Sequence, residues 1–369
     1  MSTKTFNKTL QQPFYDPTKS YENNYKNGPF AGFKNSVKIN RKNKKGETLE
    51  PNYDLFGNKI YLPFGIPAGP LLNSKFVAAA FENGFDVCVY KTVRTREYAC
   101  HKHPNVLALH LNKLEINRIK PVEADRVYSQ PLSITNSFGV PCSDPKIWQE
   151  DMKKAVESAG IGQVLIGSFQ GTSDGSGSVN SYVKDFVKAA KMVKKTGAKI
   201  LEANLSCPNE GTKNVLCFDT KRTKLIAQEI KKEIKETPLI LKLAYFEDDK
   251  KLENFVKELG NIVDGFAAIN TIAATIVDKN GNQALPGKGR ERSGVCGSAI
   301  TWAGIEMVNK LQKLRKKLKM NYTIIGVGGI TKSEDFNNYI KNGADVCMSA
   351  TGAMWNTDLA KDILKGKNE

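Results

Sequence analysis

The chain has 369 residues, 40% of them hydrophobic, and 55 Lys plus Arg stand against 38 Asp plus Glu, a net charge of +17. That length holds two average domains or one large α/β barrel, and the apolar content excludes global disorder. Seven cysteines without small-domain spacing exclude a disulfide framework, and the opening MSTKTFNKTLQQPF holds no apolar stretch of signal-peptide or membrane-span length, so a soluble, cytoplasmic protein is expected.

Residues 1–52 are polar and turn-rich, with Phe14, Tyr15, Tyr21, Phe30 and Phe33 scattered among them. These aromatics predict an extension draped over a globular body, in part disordered. From Tyr53 onward, short apolar runs alternate with amphipathic stretches. The runs are YLPFGI (61–66), DVCVYK (86–91), QVLIGSF (163–169), AKILEA (198–203), PLILKL (238–243), GFAAIN (265–270), TIIGVG (323–328) and DVCMSA (345–350). Between them, SYVKDFVKAAKMVKKTG places Val183, Phe186, Val187, Ala190 and Val193 on one helical face, with Gly197 as the stop. Continuous apolar strands alternating with helices imply a parallel sheet buried on both faces, and eight strands close a TIM (β/α)8 barrel. A doubly wound open sheet shares that periodicity; the number of runs favours the barrel. The rhythm breaks between Thr92 and Trp148, where strand-like pieces such as SQPLSIT (129–135) predict an antiparallel insertion after strand 2, about 92–147, over the strands' C-terminal ends.

The positive charge fits a polyanionic partner or lysines coating solvated helix faces. EMVNKLQKLRKKLKM favours the second reading, with Ile305, Val308, Leu311, Leu314 and Leu318 in one apolar stripe. No nucleic-acid partner is expected.

Barrel chemistry sits where strands end, and unusual residues fall there. Lys91 and Lys242 each close an apolar strand, where a buried lysine wants an anion or an electron-rich ring, unless its stem snorkels to water. Gly326, Gly328 and Gly329 follow the seventh run, and SATG (349–352) follows the eighth. This is the usual phosphate position of the fold, although a tight βα turn would use the same glycines. Asn136, Asn204, Asn209 and Asn270 gather at the same rim, where amides suit a flat ring of alternating donors and acceptors; turn chemistry is the plainer reading. Cys207 admits three readings, as a buried structural thiol, a nucleophile or a general acid/base. His101, His103 and His110 all lie in the insertion, and CHKH (100–103) lacks further ligands, so no metal is expected.

NLSCPN (204–209), with KT (91–92), NSFGVP (136–141), LKL (241–243), INTI (269–272), SGVCG (293–297) and GVGGI (326–330), resembles the FMN-dependent dihydroorotate dehydrogenases. The likeness is to the soluble class 1 enzymes and runs from about Tyr53 to the C-terminus. It implies an FMN-binding barrel over 53–369 that oxidises dihydroorotate to orotate in pyrimidine synthesis. FMN would lie across the barrel mouth, its phosphate held by Gly328, Gly329, Ala350 and Thr351. Ala68, Gly69, Lys91, Thr92, Asn204, Lys242, Gly294 and Gly297 would surround the rest. Lys91, Asn136, Asn204, Asn209, Asn270, Thr271 and the backbone of Phe138, Gly139 and Val140 would bind substrate. Cys207 would act as general base, with Lys91 and Lys242 beside the reacting rings. LCFD (216–219) is similar to the fumarate-using subtype, so fumarate is the expected acceptor and a homodimer the expected assembly. Cys142 and Cys296 depart from the family pattern, and residues 1–52 find no counterpart. The rival readings are a dihydropyrimidine dehydrogenase acting on uracil or thymine, a tRNA dihydrouridine synthase, and a non-catalytic barrel that binds nucleic acid.

Overall fold

A computed structural model describes residues 10–41, 46–116, 120–206 and 215–368. Each of the eight apolar runs supplies one parallel strand: β1 (Phe64–Ile66), β2 (Val87–Val93), β3 (Val164–Phe169), β4 (Ile200–Asn204), β5 (Leu239–Leu243), β6 (Gly265–Ala268), β7 (Thr323–Val327) and β8 (Val346–Met348). They pair in chain order, and β8 closes on β1. The expected TIM barrel is the fold.

Side chains alternate along a strand, so each strand has an inward and an outward set. The inward set begins with Val87 and Val89, Val164 and Ile166, Ile200, Ile240, Ala267, Ile325 and Val327, and Val346 and Met348, which form one buried cluster. Leu55 and Ile60, from a hairpin of Tyr53–Leu55 and Asn58–Ile60, join that cluster and close one end of it. Following the same parity toward the strands' C-terminal ends brings Lys91, Ser168, Glu202, Asn204 and Lys242 to the inner face. The barrel is therefore apolar in its lower layers and polar in its top one.

The helices start where side chains can take up their free N–H groups. Asp144 caps Pro145–Glu157, with Pro145 in the first turn, and Ser178 caps Val179–Lys194. In the latter helix Val183, Phe186, Ala190 and Val193 are buried as the stripe requires, and Gly197 follows at a φ of 90°. Helix Thr301–Lys317 buries Val308, Leu311 and Leu314, while Ile305 packs at the edge of the core. Lysines elsewhere pair across helix surfaces, as in Lys224–Glu258 at 2.7 Å. Among the described residues, no helix is long and apolar enough to cross a membrane.

One expectation needs enlarging. The sheet over the barrel mouth is built from two insertions, not one. Val106–Leu109, Val122–Asp125 and Ser133–Asn136 come from the insertion after β2, while Ile272–Val277 and Arg292–Gly297 form a hairpin after β6. These five strands close into a small second barrel, with Arg292–Gly297 antiparallel to Ser133–Asn136. SGVCG thus serves as a roof strand, and INTI leads into another at Ile272.

Residues of the N-terminal segment enter the core. Phe14, Tyr15 and Phe33 are buried, the Phe14 and Phe33 rings stack at 4.3 Å, and Phe14 donates its backbone N–H to the Met354 carbonyl at 3.0 Å. Phe14 also meets Phe76 edge-on at 6.2 Å. Truncating so large a buried ring leaves a cavity as well as losing transfer energy. Phe14→Ala is expected to lower unfolding free energy by about 3–4 kcal/mol in urea titrations, with helix content unchanged. A loss below about 1 kcal/mol would show this segment to be dispensable to the core.

Candidate active site

A cavity of about 170 Å³ lies between the barrel mouth and the roof, whose strands are antiparallel except where Ile272–Val277 runs parallel to Val122–Asp125. Its wall includes Ala68, Gly69, Lys91, Thr92, Asn136, Phe138, Gly139, Val140, Asn204, Lys242, Asn270, Thr271 and Gly294, all singled out in the sequence. Gly297, Gly328, Gly329, Ala350 and Thr351 are not part of that wall. They stand further along Arg292–Gly297, the strand that runs out of the cavity. A Cβ on Gly329 would fall 2.7 Å from the Gly297 carbonyl, and Cys296 is hydrogen-bonded to the Thr351 side chain. Cys207 and Asn209 lie outside the described residues.

The two lysines differ in their surroundings. Lys91, 7% exposed, donates from Nζ to the Pro141 carbonyl at 2.8 Å, and its ammonium stands 5.5 Å from the centre of the Tyr21 ring. Lys242, 5% exposed, has no hydrogen-bond partner for Nζ among the described residues. Burial pushes its pKa down, because a charge loses its water there, while the Glu202 carboxylate pulls it back up. Glu202 is itself fully buried. Burial raises its pKa, with Lys242 and the Ser168 hydroxyl opposing. Two ionisable groups are thus held in one layer of the barrel, each acting on the other, with the Ser168 hydroxyl beside the carboxylate.

The asparagines are joined to one another. Asn204 donates from Nδ2 to Gln170 Oε1 at 2.9 Å, and its Oδ1 accepts from the Ser206 hydroxyl at 3.0 Å. Asn270 Nδ2 donates to the same Ser206 oxygen at 2.7 Å. Ser206 therefore ties the ends of β4 and β6 together one residue before Cys207. Among the described residues, one Nδ2 proton of each amide is left without a partner, available to a ligand. Asn136 donates to Cys296 Sγ at 3.3 Å, which gives that departure from the family pattern a structural partner. The other departure, Cys142, accepts from the Arg94 backbone N–H at 3.2 Å.

Sequence reasoning missed Tyr21, Glu202, Ser206, Arg292 and Ser293, which also line the cavity. It also missed two buried arginines behind the loop at 136–140. Arg94 donates to the carbonyls of Val140 at 3.0 Å and Gly139 at 3.3 Å, and Arg290 donates to Ser137 Oγ at 3.1 Å and its carbonyl at 2.9 Å. A carboxylate inside the apolar run AKILEA was the one signal that could have found Glu202. The arginines carry no such signal. Of the histidines, His101 meets Ser137 Oγ at 3.1 Å and His110 meets Asp125 at 3.0 Å.

The dihydroorotate dehydrogenase family model matches residues 52–369. The chain belongs to the dihydroorotate dehydrogenase family. The dihydroorotate dehydrogenase of Dictyostelium discoideum is 35% identical over 364 residues, covering 95% of this chain and 96% of that protein. Coverage that wide takes in most of residues 1–52, so the N-terminal extension does have a counterpart in this member of the family. The dihydroorotate dehydrogenase B (NAD(+)) catalytic subunits of Lachnoclostridium phytofermentans and Staphylococcus carnosus are 29% and 27% identical. Those matches span 51% and 50% of this chain, and 60% and 58% of the bacterial proteins.

Removing one member of a buried charged pair strands the other, whereas removing both removes the conflict. Glu202→Gln and Lys242→Met should each destabilise the protein by about 3 kcal/mol or more in urea titrations. The double variant should lose less than the sum by about 1 kcal/mol or more. Strict additivity would show that the two groups do not sense each other.

Proposed function

We propose that this chain is a class 1 dihydroorotate dehydrogenase that oxidises dihydroorotate to orotate with FMN as its redox cofactor. The observation that carries this reading is Lys242, an amine buried without a hydrogen-bond partner among the described residues, facing a cavity ringed with amides. A cation so placed suits an electron-rich ring that gains negative charge during reaction.

The residues present fit a flavin mononucleotide. The cavity between barrel mouth and roof would take the ring end of the flavin, with the phosphate end beyond its wall. Gly69 leaves open space where a Cβ would stand. Gly328 and Gly329, at φ of 131° and 70°, give a backbone that side chains would obstruct, and Gly329 abuts the strand leading from the cavity. Ala68, Gly69, Thr92, Lys242 and Gly294 would hold the ring system, and Gly297, Gly328, Gly329, Ala350 and Thr351 the phosphate end. When bound, FMN supplies a two-electron acceptor for hydride from carbon 6 of the substrate.

The chain's own groups do the rest. Lys91 and the backbone of Phe138, Gly139 and Val140 bind the carboxylate; Arg94 and Arg290 hold that loop in shape from behind. Asn136, Asn204, Asn209, Asn270 and Thr271 bind the ring's imide edge, using the amide protons not spent within the network. Cys207 takes the proton from ring carbon 5, and Ser206 anchors the chain just before it. Lys242 stabilises the charge that builds on the opposite side. Fumarate serves as acceptor, by the LCFD similarity, and the enzyme works as a cytoplasmic homodimer.

Anaerobic mixing with dihydroorotate tests the reading. It should bleach the visible absorbance of the purified yellow protein, dihydrouracil should not, and Cys207→Ala should slow bleaching by roughly a hundredfold or more. Fumarate should then restore the colour; restoration by NAD alone would replace fumarate as acceptor. Protein that keeps its colour with dihydroorotate, or carries none, would remove the proposal.

A further inference from the structure

Resting on the substrate reading above, the inference concerns the N-terminal segment, which that reading did not use. Its helix, Tyr21–Asn27, begins at the cavity wall. Ser20 caps it by accepting from the Asn23 N–H at 3.2 Å. The buried Asn24 side chain knots the approach, accepting from the Asp16 N–H at 2.8 Å and donating to the Asp16 and Ser20 carbonyls at 2.9 and 3.0 Å. The barrel grips the helix from outside: Asn73 Nδ2 donates to the Tyr25 carbonyl and Lys75 Nζ to the Lys26 carbonyl, both at 2.8 Å. Tyr21 is thus placed by at least two independent attachments.

Its ring has two neighbours that matter for the site. The Lys91 ammonium stands 5.5 Å from the ring centre, within the range in which an aromatic quadrupole attracts a cation. Phe138 meets the same ring edge-on at 6.2 Å, and Tyr15, of the same segment, meets Phe138 at 5.7 Å. The segment therefore grips one residue of the loop at 136–140 and faces the lysine opposite it. Nζ of Lys91 also donates to Pro141 on that loop, so ring, ammonium and loop form one connected wall.

We propose that Tyr21 is a positioning residue of the substrate site, its ring holding the Lys91 ammonium and Phe138 in the arrangement that captures a planar carboxylate. The ring carries this role, so a phenylalanine replaces it. A leucine does not.

The test uses the full-length, FMN-loaded protein. Orotate dissociation constants are read from the perturbation of flavin absorbance, and KM and kcat from dihydroorotate turnover. Tyr21→Leu should raise the orotate Kd and the KM roughly tenfold and leave kcat within about twofold, the size expected of a desolvated cation–π contact. Tyr21→Phe should restore both constants to the wild-type range. Phe30→Leu loosens the same segment away from the cavity and should not reproduce the Tyr21→Leu effect; Tyr21→Met carries the test should Tyr21→Leu fail to fold. Unchanged affinity in Tyr21→Leu or Tyr21→Met overturns the proposal, as does an equal loss in Phe30→Leu. Wild-type protein that neither binds orotate nor turns over dihydroorotate overturns this inference together with the function it rests on.

Discussion

Lys242 and Glu202 lie buried together in the top layer of a barrel whose lower layers are hydrocarbon, each acting on the other. Burying charge costs free energy that folding must recover elsewhere. The recovery is visible in what surrounds that layer. Below it, branched aliphatic side chains from six barrel strands pack against each other, with Ala267 from a seventh; above it, the five-stranded roof keeps the space small. A barrel packed with Val and Ile throughout would be more comfortable, and would have nowhere to hold a ring. The polar layer is where stability has been given up for chemistry.

Around that layer, side chains are fixed mainly by other side chains. Ser206 receives the Asn270 amide and donates to Asn204, which in turn reaches Gln170, so the ends of β4 and β6 and the turn after β3 share one hydrogen-bonded row. Arg94 and Arg290 perform the same service for the loop at 136–140. Groups held in place beforehand lose little entropy when a ligand arrives, so more of the contact energy appears as affinity.

The barrel was legible because its strands are buried on both faces and so read as unbroken apolar runs, each of which became a strand. The same continuity hid Glu202, because a run without alternation does not declare which residues point inward. The hairpin at 272–297 escaped for the opposite reason. Its strands alternate buried and exposed residues, the second reads RSGVCG, and that strand's partner lies some 150 residues earlier in the chain, at Ser133–Asn136. Lys91, Asn136, Asn204, Lys242 and Asn270 were readable as strand-end residues, and the structure brings all five to one cavity. That Asn204 and Asn270 answer to the same serine is a fact of three-dimensional proximity, invisible to spacing. The aromatics of the extension announced a segment that packs, but nothing in their order indicated that Tyr21 would face Lys91.

The roof's construction bears on how the molecule is made. During synthesis the strands at 106–136 leave the ribosome early, yet the edge of Ser133–Asn136 that pairs with Arg292–Gly297 stays bare until six barrel strands have been translated. Contacts between such distant stretches form late, after loop closure has been met by the rest of the fold. Until then a nascent sheet edge is open to unwanted partners, and the chamber beneath it has no ceiling. The chamber under the roof is among the last parts of this protein to come into being.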